Sequence, residues 1–148
     1  MSATGNRAVR EAGQTLIEML VALAILGLVA GIAAPVMGGL FARRHLTEAC
    51  GTIALGVAQA RSAAIAGSAT VRLDLVAGTG PDDPARLVLL PGQRDLALPA
   101  AVALDWPPRG LEFHADGSAG AWDGAIHAGA LVRAFHVDPV HARAEFGA

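Results

Sequence analysis

A long uncharged run near the start of the chain limits what this sequence can fold into more than any other feature. From Met19 to Ala42 there are 24 consecutive residues without a charged side chain, between Glu18 and the pair Arg43-Arg44. As a helix rising about 1.5 Å per residue, the run would reach roughly 36 Å, and a bilayer core is about 30 Å thick. The sequence therefore predicts one membrane-spanning helix segment over residues 14–42. Arg7 and Arg10 before the run favour a cytoplasmic N-terminus, although the arginine pair after it has the opposite effect.

Glu18 stands directly before this run. A carboxylate costs about 2.5–3.5 kcal/mol at the centre of a membrane helix and less near its end. Either Glu18 lies at the membrane interface in contact with water, or it pairs with a positive group from another molecule. A charge pair separated by about 4 Å is worth about 4 kcal/mol at an effective dielectric constant of about 20, which would offset the cost of burial. The residue alone leaves both interpretations open.

Beyond the run, one apolar stripe continues the helical pattern. Its members follow one another at steps of three and four residues, which is the spacing of one helix face: Leu46, Cys50, Ile53, Val57, Ala60 and Ala64. The helix is therefore predicted to run from Gln14 to Ala66 and to end at Gly67-Ser68, with residues 43–67 as its amphipathic half. Because Cys50 lies on the stripe, we interpret it as a small buried hydrophobic residue and not as a reactive thiol.

After Gly67 the pattern changes to the period of two that is typical of strands. Strands are predicted at residues 71–75, 86–90, 111–113, 125–128, 131–137 and 142–146, and residues 96–104 are ambiguous around Pro99. The sequence thus predicts an α+β fold. In it, one long N-terminal helix, membrane-spanning in its first half, packs on a small antiparallel β-sheet domain at residues 68–148.

The sequence gives little support for catalysis or for a bound metal. Asp82-Asp83 has no third possible ligand at the spacing of a calcium loop. The histidines are not spaced as metal ligands on a helix are: His45, His114, His127, His136 and His141. No serine or cysteine has a recognisable base partner, and Gly117-Ser118 is interpreted as a turn. We therefore expect no enzymatic activity, no metal and no cofactor. Trp106 and Trp122 are interpreted as packing residues, with Trp122 as an interface candidate if it is exposed on a loop.

The charge balance bears on nucleic-acid binding. From Arg43 onward there are nine arginines and eleven acidic residues, and the whole chain carries a formal charge of −2. A nucleic-acid surface needs a basic patch. Nucleic acid is therefore an unexpected partner, unless Arg133 and Arg143 cluster locally.

The segment from Gly13 through Gln14-Thr15-Leu16-Ile17-Glu18 into the apolar run resembles the class III signal of type IV pilins and type II secretion pseudopilins. The resemblance implies that a prepilin peptidase removes residues 1–13 by cutting after Gly13 on the cytoplasmic side. The same enzyme would then methylate the new amino terminus at Gln14. Glu18 is the fifth mature residue and Pro35 the twenty-second, positions at which the family has glutamate and proline. The departure is Gln14, where the family usually has phenylalanine.

The same resemblance implies roles and partners for these residues. Glu18 would face the amino terminus of a neighbouring subunit during assembly, and Pro35 would loosen the preceding helical turn. The implied partners are the prepilin peptidase/methylase, other pseudopilins and the inner membrane before assembly. The protein would be a single-pass inner-membrane protein with a cytoplasmic N-terminus and a periplasmic C-terminal domain.

A second segment, from Leu111 to Ala121 with the strand through Leu131-Val132-Arg133, resembles the GspH/FimT group of that family. This second resemblance implies that the protein is a minor pseudopilin at or near the tip of the type II secretion pseudopilus, which supports export of folded proteins across the outer membrane. The group often ends in a Thr-Gly-Arg turn, of which the stretch from Val140 to Arg143 keeps only the arginine. The alternatives are a FimT-like minor pilin of a type IV pilus or competence system that binds DNA, and an unrelated single-span anchored protein.

Overall fold

The computed structural model describes residues 6–80, 82–92 and 94–147, and within the helix it describes the side chains of residues 16–32 and 38–67. The chain divides into two units, Met1–Leu40 and Phe41–Ala148, called the N-terminal unit and the sheet unit below. One long helix, α1 (Asn6–Gly67), contributes residues to both units.

The helix begins earlier than predicted and ends within one residue of the predicted end. It begins at Asn6 and not at Gln14, because residues 7–12 are rich in arginine, alanine and glutamate, which favour helix. At the other end, the Ala69 amide donates to the Ala64 carbonyl at 3.2 Å, and Ser68 has a φ of 47°. This is a Schellman cap, in which the serine takes the left-handed conformation that glycine usually provides.

The described residues of the sheet unit form eight strands in two antiparallel sheets. The strands are β1 (Val71–Val76), β2 (Arg86–Leu90), β3 (Arg94–Ala97), β4 (Val102–Leu104), β5 (Leu111–Phe113), β6 (Trp122–Ala128), β7 (Leu131–Asp138) and β8 (Arg143–Phe146). The first sheet has the order β3-β2-β1-β5, and the second has the order β4-β6-β7-β8.

This is the predicted α+β, pilin-like arrangement, but with two sheets where one was expected. The ambiguous stretch around Pro99 is where the chain changes sheet, since β3 ends at Ala97 and β4 begins at Val102. A proline has no amide proton to donate and a fixed φ, so a strand cannot continue through it in a paired sheet. After β4 the chain returns to the first sheet as β5, and β6 to β8 complete the second.

The predicted apolar stripe of the helix lies at the centre of the core. All six stripe residues are buried, and Ala49 is buried beside them. They form one hydrophobic cluster with side chains of both sheets, including Leu73, Leu87, Phe113, Ile126 and Val137. The interpretation of Cys50 as a buried residue is confirmed. The small alanine and cysteine side chains of the stripe leave room for the large side chains of the strands, as close packing requires.

Candidate functional site

The N-terminal unit exposes an apolar helix surface. From Leu16 to Ile32 every side chain is exposed, and the large hydrophobic ones are each more than half exposed. A helix that is apolar on all sides is typical of contact with lipid or with other helices, because water cannot cover such a surface without a free-energy cost. This segment is therefore the candidate site for membrane anchoring and assembly.

Two stretches of α1 are apolar among the residues whose side chains are described. Gly38–Gly67 is long and apolar enough to cross a membrane by length and composition, and Leu16–Ile32 is a shorter apolar stretch. Gly38–Gly67 contains the buried stripe, so much of its apolar character serves the core of the sheet unit. Leu16–Ile32 has no such buried face, and this difference is consistent with membrane anchoring through the N-terminal unit.

Glu18 is the charged residue of the exposed apolar segment. It is the only residue with a charged side chain between Leu16 and Ile32 in the sequence, and it is exposed. In water such a carboxylate is hydrated, but in lipid or between helices it needs a positive or hydrogen-bonding partner. The position of Glu18 thus makes its pairing depend on what covers the segment.

The other residues of the predicted processing and assembly signal lie in the helix. The backbone of α1 is helical through Gly13, Gln14 and Pro35. The side chains of Gln14 and Pro35 lie outside the described residues. Their roles in cleavage, methylation and assembly therefore stay predictions.

The turn after β5 is attached to the helix by one arginine. The Arg61 Nε donates to the Gly117 carbonyl at 3.2 Å, and Gly117 has a φ of 85°. Asp116 accepts hydrogen bonds from the hydroxyl and amide of Ser118 at 2.6 and 2.9 Å. These two bonds, the hydroxyl one first, lower the pKa of the Asp116 carboxyl. The interpretation of Gly117-Ser118 as a turn is confirmed.

Three histidines at the second sheet each lie within hydrogen-bond distance of an aspartate. The pairs are His127–Asp105 at 3.1 Å, His136–Asp123 at 2.8 Å and His141–Asp138 at 2.6 Å. In the third pair, the Val140 amide and then the His141 ring lower the pKa of the Asp138 carboxyl. Among the described residues, no group of three His, Cys, Asp or Glu side chains could hold a metal ion. The pairing was missed by sequence reasoning, because His136 and Asp123 meet only through the register of β6 and β7.

Both tryptophans are half-buried and pack against the core of the sheet unit, as interpreted from the sequence. The Trp106 indole N–H donates to the Leu73 carbonyl at 3.1 Å, and its ring centre lies 6.2 Å from that of Phe135. Trp122 begins β6 and does not lie on a loop. The condition under which Trp122 was an interface candidate is therefore not met.

A cleft of about 610 Å³ opens beside Trp106. Pro107-Pro108 and Arg109 line it on one side, and the end of β1 lines it on the other. Strand β5 pairs with β1 only as far as Leu73, so the later residues of β1 border the cleft. The cleft could not be predicted from the sequence, because it depends on how the loop Trp106-Pro107-Pro108 lies against β1. The cleft is a candidate recognition surface of the sheet unit.

Arg133 and Arg143 do not form the local basic cluster that a DNA-binding surface would need. Side chains alternate between the two faces of a strand. On β7, Arg133 lies two and four residues before the buried residues Phe135 and Val137, and therefore on the same face of the strand. Arg143 lies opposite Asp138 in the register of β7 and β8, and therefore on the other face.

Comparison with known proteins identifies the N-terminal segment. Residues 9–34 match the family described as the prokaryotic N-terminal methylation motif. Gly13, Gln14 and Glu18 lie inside the matched residues, and Pro35 directly follows them. The chain therefore carries a type IV pilin-like prepilin signal, which implies processing by a prepilin peptidase and assembly with other pilin-like subunits. Searches of curated proteins and of solved structures found no significant match to this chain.

Proposed function

We propose that this protein is a minor pseudopilin of the type II secretion system, in the GspH/FimT group. It would be a structural subunit without catalytic activity, at or near the tip of the periplasmic pseudopilus, and would support export of folded proteins across the outer membrane. The observation that carries the proposal is the exposed apolar helix Leu16–Ile32 with Glu18, inside the segment that matches the methylation motif.

The first proposed step is processing of the precursor. The peptidase removes the leader, residues 1–13, by cutting after Gly13, and the new amino terminus at Gln14 is methylated. The apolar half of the helix, residues 14–42, holds the subunit in the inner membrane with its N-terminus in the cytoplasm. Residues 43–67 and the sheets at residues 68–148 then lie in the periplasm as one packed body.

Assembly would depend on the carboxylate of Glu18. Cleavage creates an α-amino cation at Gln14, and the Glu18 carboxylate of one subunit would pair with the amino terminus of its neighbour. At about 4 Å and an effective dielectric constant of about 20, such a pair is worth about 4 kcal/mol. This can offset the cost of moving the carboxylate from water into an apolar filament core. Pro35 removes one helical hydrogen bond and would let the helix adapt to its neighbours.

The subgroup is proposed from the second half of the chain. The stretch from Leu111 to Ala121 forms β5, the turn fixed by Arg61, and the start of the connection to β6. The cleft beside Trp106 offers a surface for recognition. The DNA-binding alternative is disfavoured by the separation of Arg133 from Arg143 and by the acidic excess of the sheet unit.

The Glu18→Gln variant tests the assembly step. It keeps the size of the side chain and removes its charge, so we expect normal leader cleavage but loss of secretion of a folded reporter in a strain that lacks the native subunit. The matched control is Glu48→Gln on the same helix, where the exposed carboxylate lies 2.9 Å from Arg44 and 3.8 Å from His45. This control is expected to secrete normally, because such surface pairs contribute about 1 kcal/mol or less. Full secretion by the Glu18→Gln variant would show that Glu18 is only an interfacial residue.

A further inference from the structure

Two arginines from different elements meet in one cleft of the sheet unit. Arg43 lies on α1 and Arg133 on β7, and they line a cleft of about 380 Å³ with Leu46, Thr47, Leu131 and Val132. No carboxylate lines this cleft. The ion pairs formed among the described residues include neither guanidinium. The cleft therefore brings together two positive groups without a negative one.

The position of Arg133 makes this arrangement costly without a partner. Arg133 is half-buried on the core-side face of β7, where the strand pattern would otherwise predict an apolar residue. The nearby acidic residue on α1, Glu48, already pairs with Arg44 at 2.9 Å. The hydroxyl of Thr47 donates to the Arg43 carbonyl at 3.0 Å. Arg43 is exposed and Arg133 is only half-buried, but two like charges that line one cleft repel each other, and an anion bound between them would offset that repulsion.

The location of the cleft along the chain indicates where the anion comes from. Arg43 is the first charged residue after the uncharged run that ends at Ala42. Val132, which lines the cleft, exposes 60% of its surface, and Phe41, two residues before Arg43 in the chain, exposes 53%. Exposed apolar side chains next to arginines are typical of contact with the headgroup layer of a membrane, where the apolar groups enter the lipid and the guanidinium groups reach phosphate.

We propose that Arg43 and Arg133 together bind the phosphate of an anionic phospholipid at the membrane surface where the uncharged run ends. A guanidinium group can donate two parallel hydrogen bonds to phosphate oxygens, so two arginines can hold one phosphate from two sides. The contact would fix the hairpin of β6 and β7 to the membrane before assembly. This inference rests on the membrane-anchored state of the proposed function.

Native mass spectrometry of the full chain in detergent micelles tests the site. Phosphatidylglycerol, phosphatidylcholine or inorganic phosphate is titrated, and the retained ligand is counted. We expect preferential retention of phosphatidylglycerol. The double variant Arg43→Gln/Arg133→Gln should weaken it about thirtyfold, since each arginine near an anionic surface contributes about fivefold. Arg133→Lys, which keeps the charge but loses the paired guanidinium hydrogen bonds, should bind more weakly than the native chain and more tightly than the double variant. The control Arg143→Gln on β8 should bind as the native chain does.

Three kinds of result would overturn the proposal. The first is equal retention of the two lipids, or unchanged binding by a double variant whose thermal unfolding matches that of the native chain. The second is an equal loss in Arg143→Gln, which would indicate a general effect of charge. The third is displacement of the lipid by an equal concentration of inorganic phosphate, which would assign the cleft to the free ion. Leader cleavage and the Glu18→Gln secretion result do not depend on any of these, so failure of this site is distinguishable from failure of the proposed function.

Discussion

At Gly117 a single residue controls how the turn after β5 meets the helix. Its φ of 85° is a left-handed conformation, which glycine adopts more easily than other residues. A Cβ at this position would lie 3.2 Å from the Ile65 Cδ1 and 3.3 Å from the Arg61 Nε. The residue therefore has both a backbone reason and a packing reason to be glycine.

Gly117→Ala should lower the free energy of unfolding by about 1–2 kcal/mol, because alanine pays the cost of the left-handed conformation. The measurement is urea unfolding of the full chain in micelles. Gly120→Ala is the matched control, since a Cβ there would meet no atom within 4 Å and its φ is not left-handed. Equal losses in the two variants would show that the left-handed conformation of Gly117 carries no specific cost for a side chain.

Sequence and structure differ at the residue scale in an instructive way. Gly13, Gln14, Glu18 and Pro35 lie close together in the chain, so their resemblance to the prepilin signal could be recognised without a structure. The pairing of Arg43 with Arg133 in one cleft is not local. From the sequence, Arg133 was considered for a basic cluster with Arg143, whereas its proximity to Arg43 became visible only when β7 was placed beside α1.

The helix is the element that the sequence predicted best, because its apolar period is long and regular. The six stripe residues from Leu46 to Ala64 are all buried in the structure. Six of the eight strands were also predicted close to their observed positions, whereas β3 was not predicted and β4 lies in the stretch that was ambiguous. The division of the strands into two sheets was not predicted. Alternation in a strand indicates which face is buried, whereas the choice of neighbouring strands depends on register and on distant parts of the chain. The break at Pro99 was visible as an ambiguity, but its consequence for topology was not.

Ile53→Ala tests the role of the stripe in stabilising the sheet unit. Ile53 is completely buried at the centre of the core, so we expect the variant to lose about 2–5 kcal/mol of unfolding free energy. Leu55→Ala on the same helix is the control, because Leu55 is 48% exposed and should change stability by about 0.5 kcal/mol or less. The measurement is urea unfolding followed by circular dichroism. Similar losses in the two variants would contradict the placement of the helix on the sheets through this stripe.

At the scale of the whole molecule, the two units have different requirements. The sheet unit buries its apolar residues in its own core, around the stripe and both sheets. The N-terminal unit exposes its apolar residues from Leu16 to Ile32 and needs lipid or neighbouring helices to cover them. A subunit that is stored in a membrane and then transferred into a filament meets both requirements, and the prepilin signal at residues 9–34 marks the processing step that prepares it.

Mass spectrometry of the amino terminus, after co-expression with a prepilin peptidase, tests this account most directly. We expect a mature chain that begins at Gln14 and carries an N-terminal methyl group. Gly13→Ala should leave the leader attached, because the proposed cut lies directly after this glycine. The control Gly5→Ala in the leader should be processed normally. A mature chain that begins at any other residue, or undiminished cleavage of Gly13→Ala, would contradict the account.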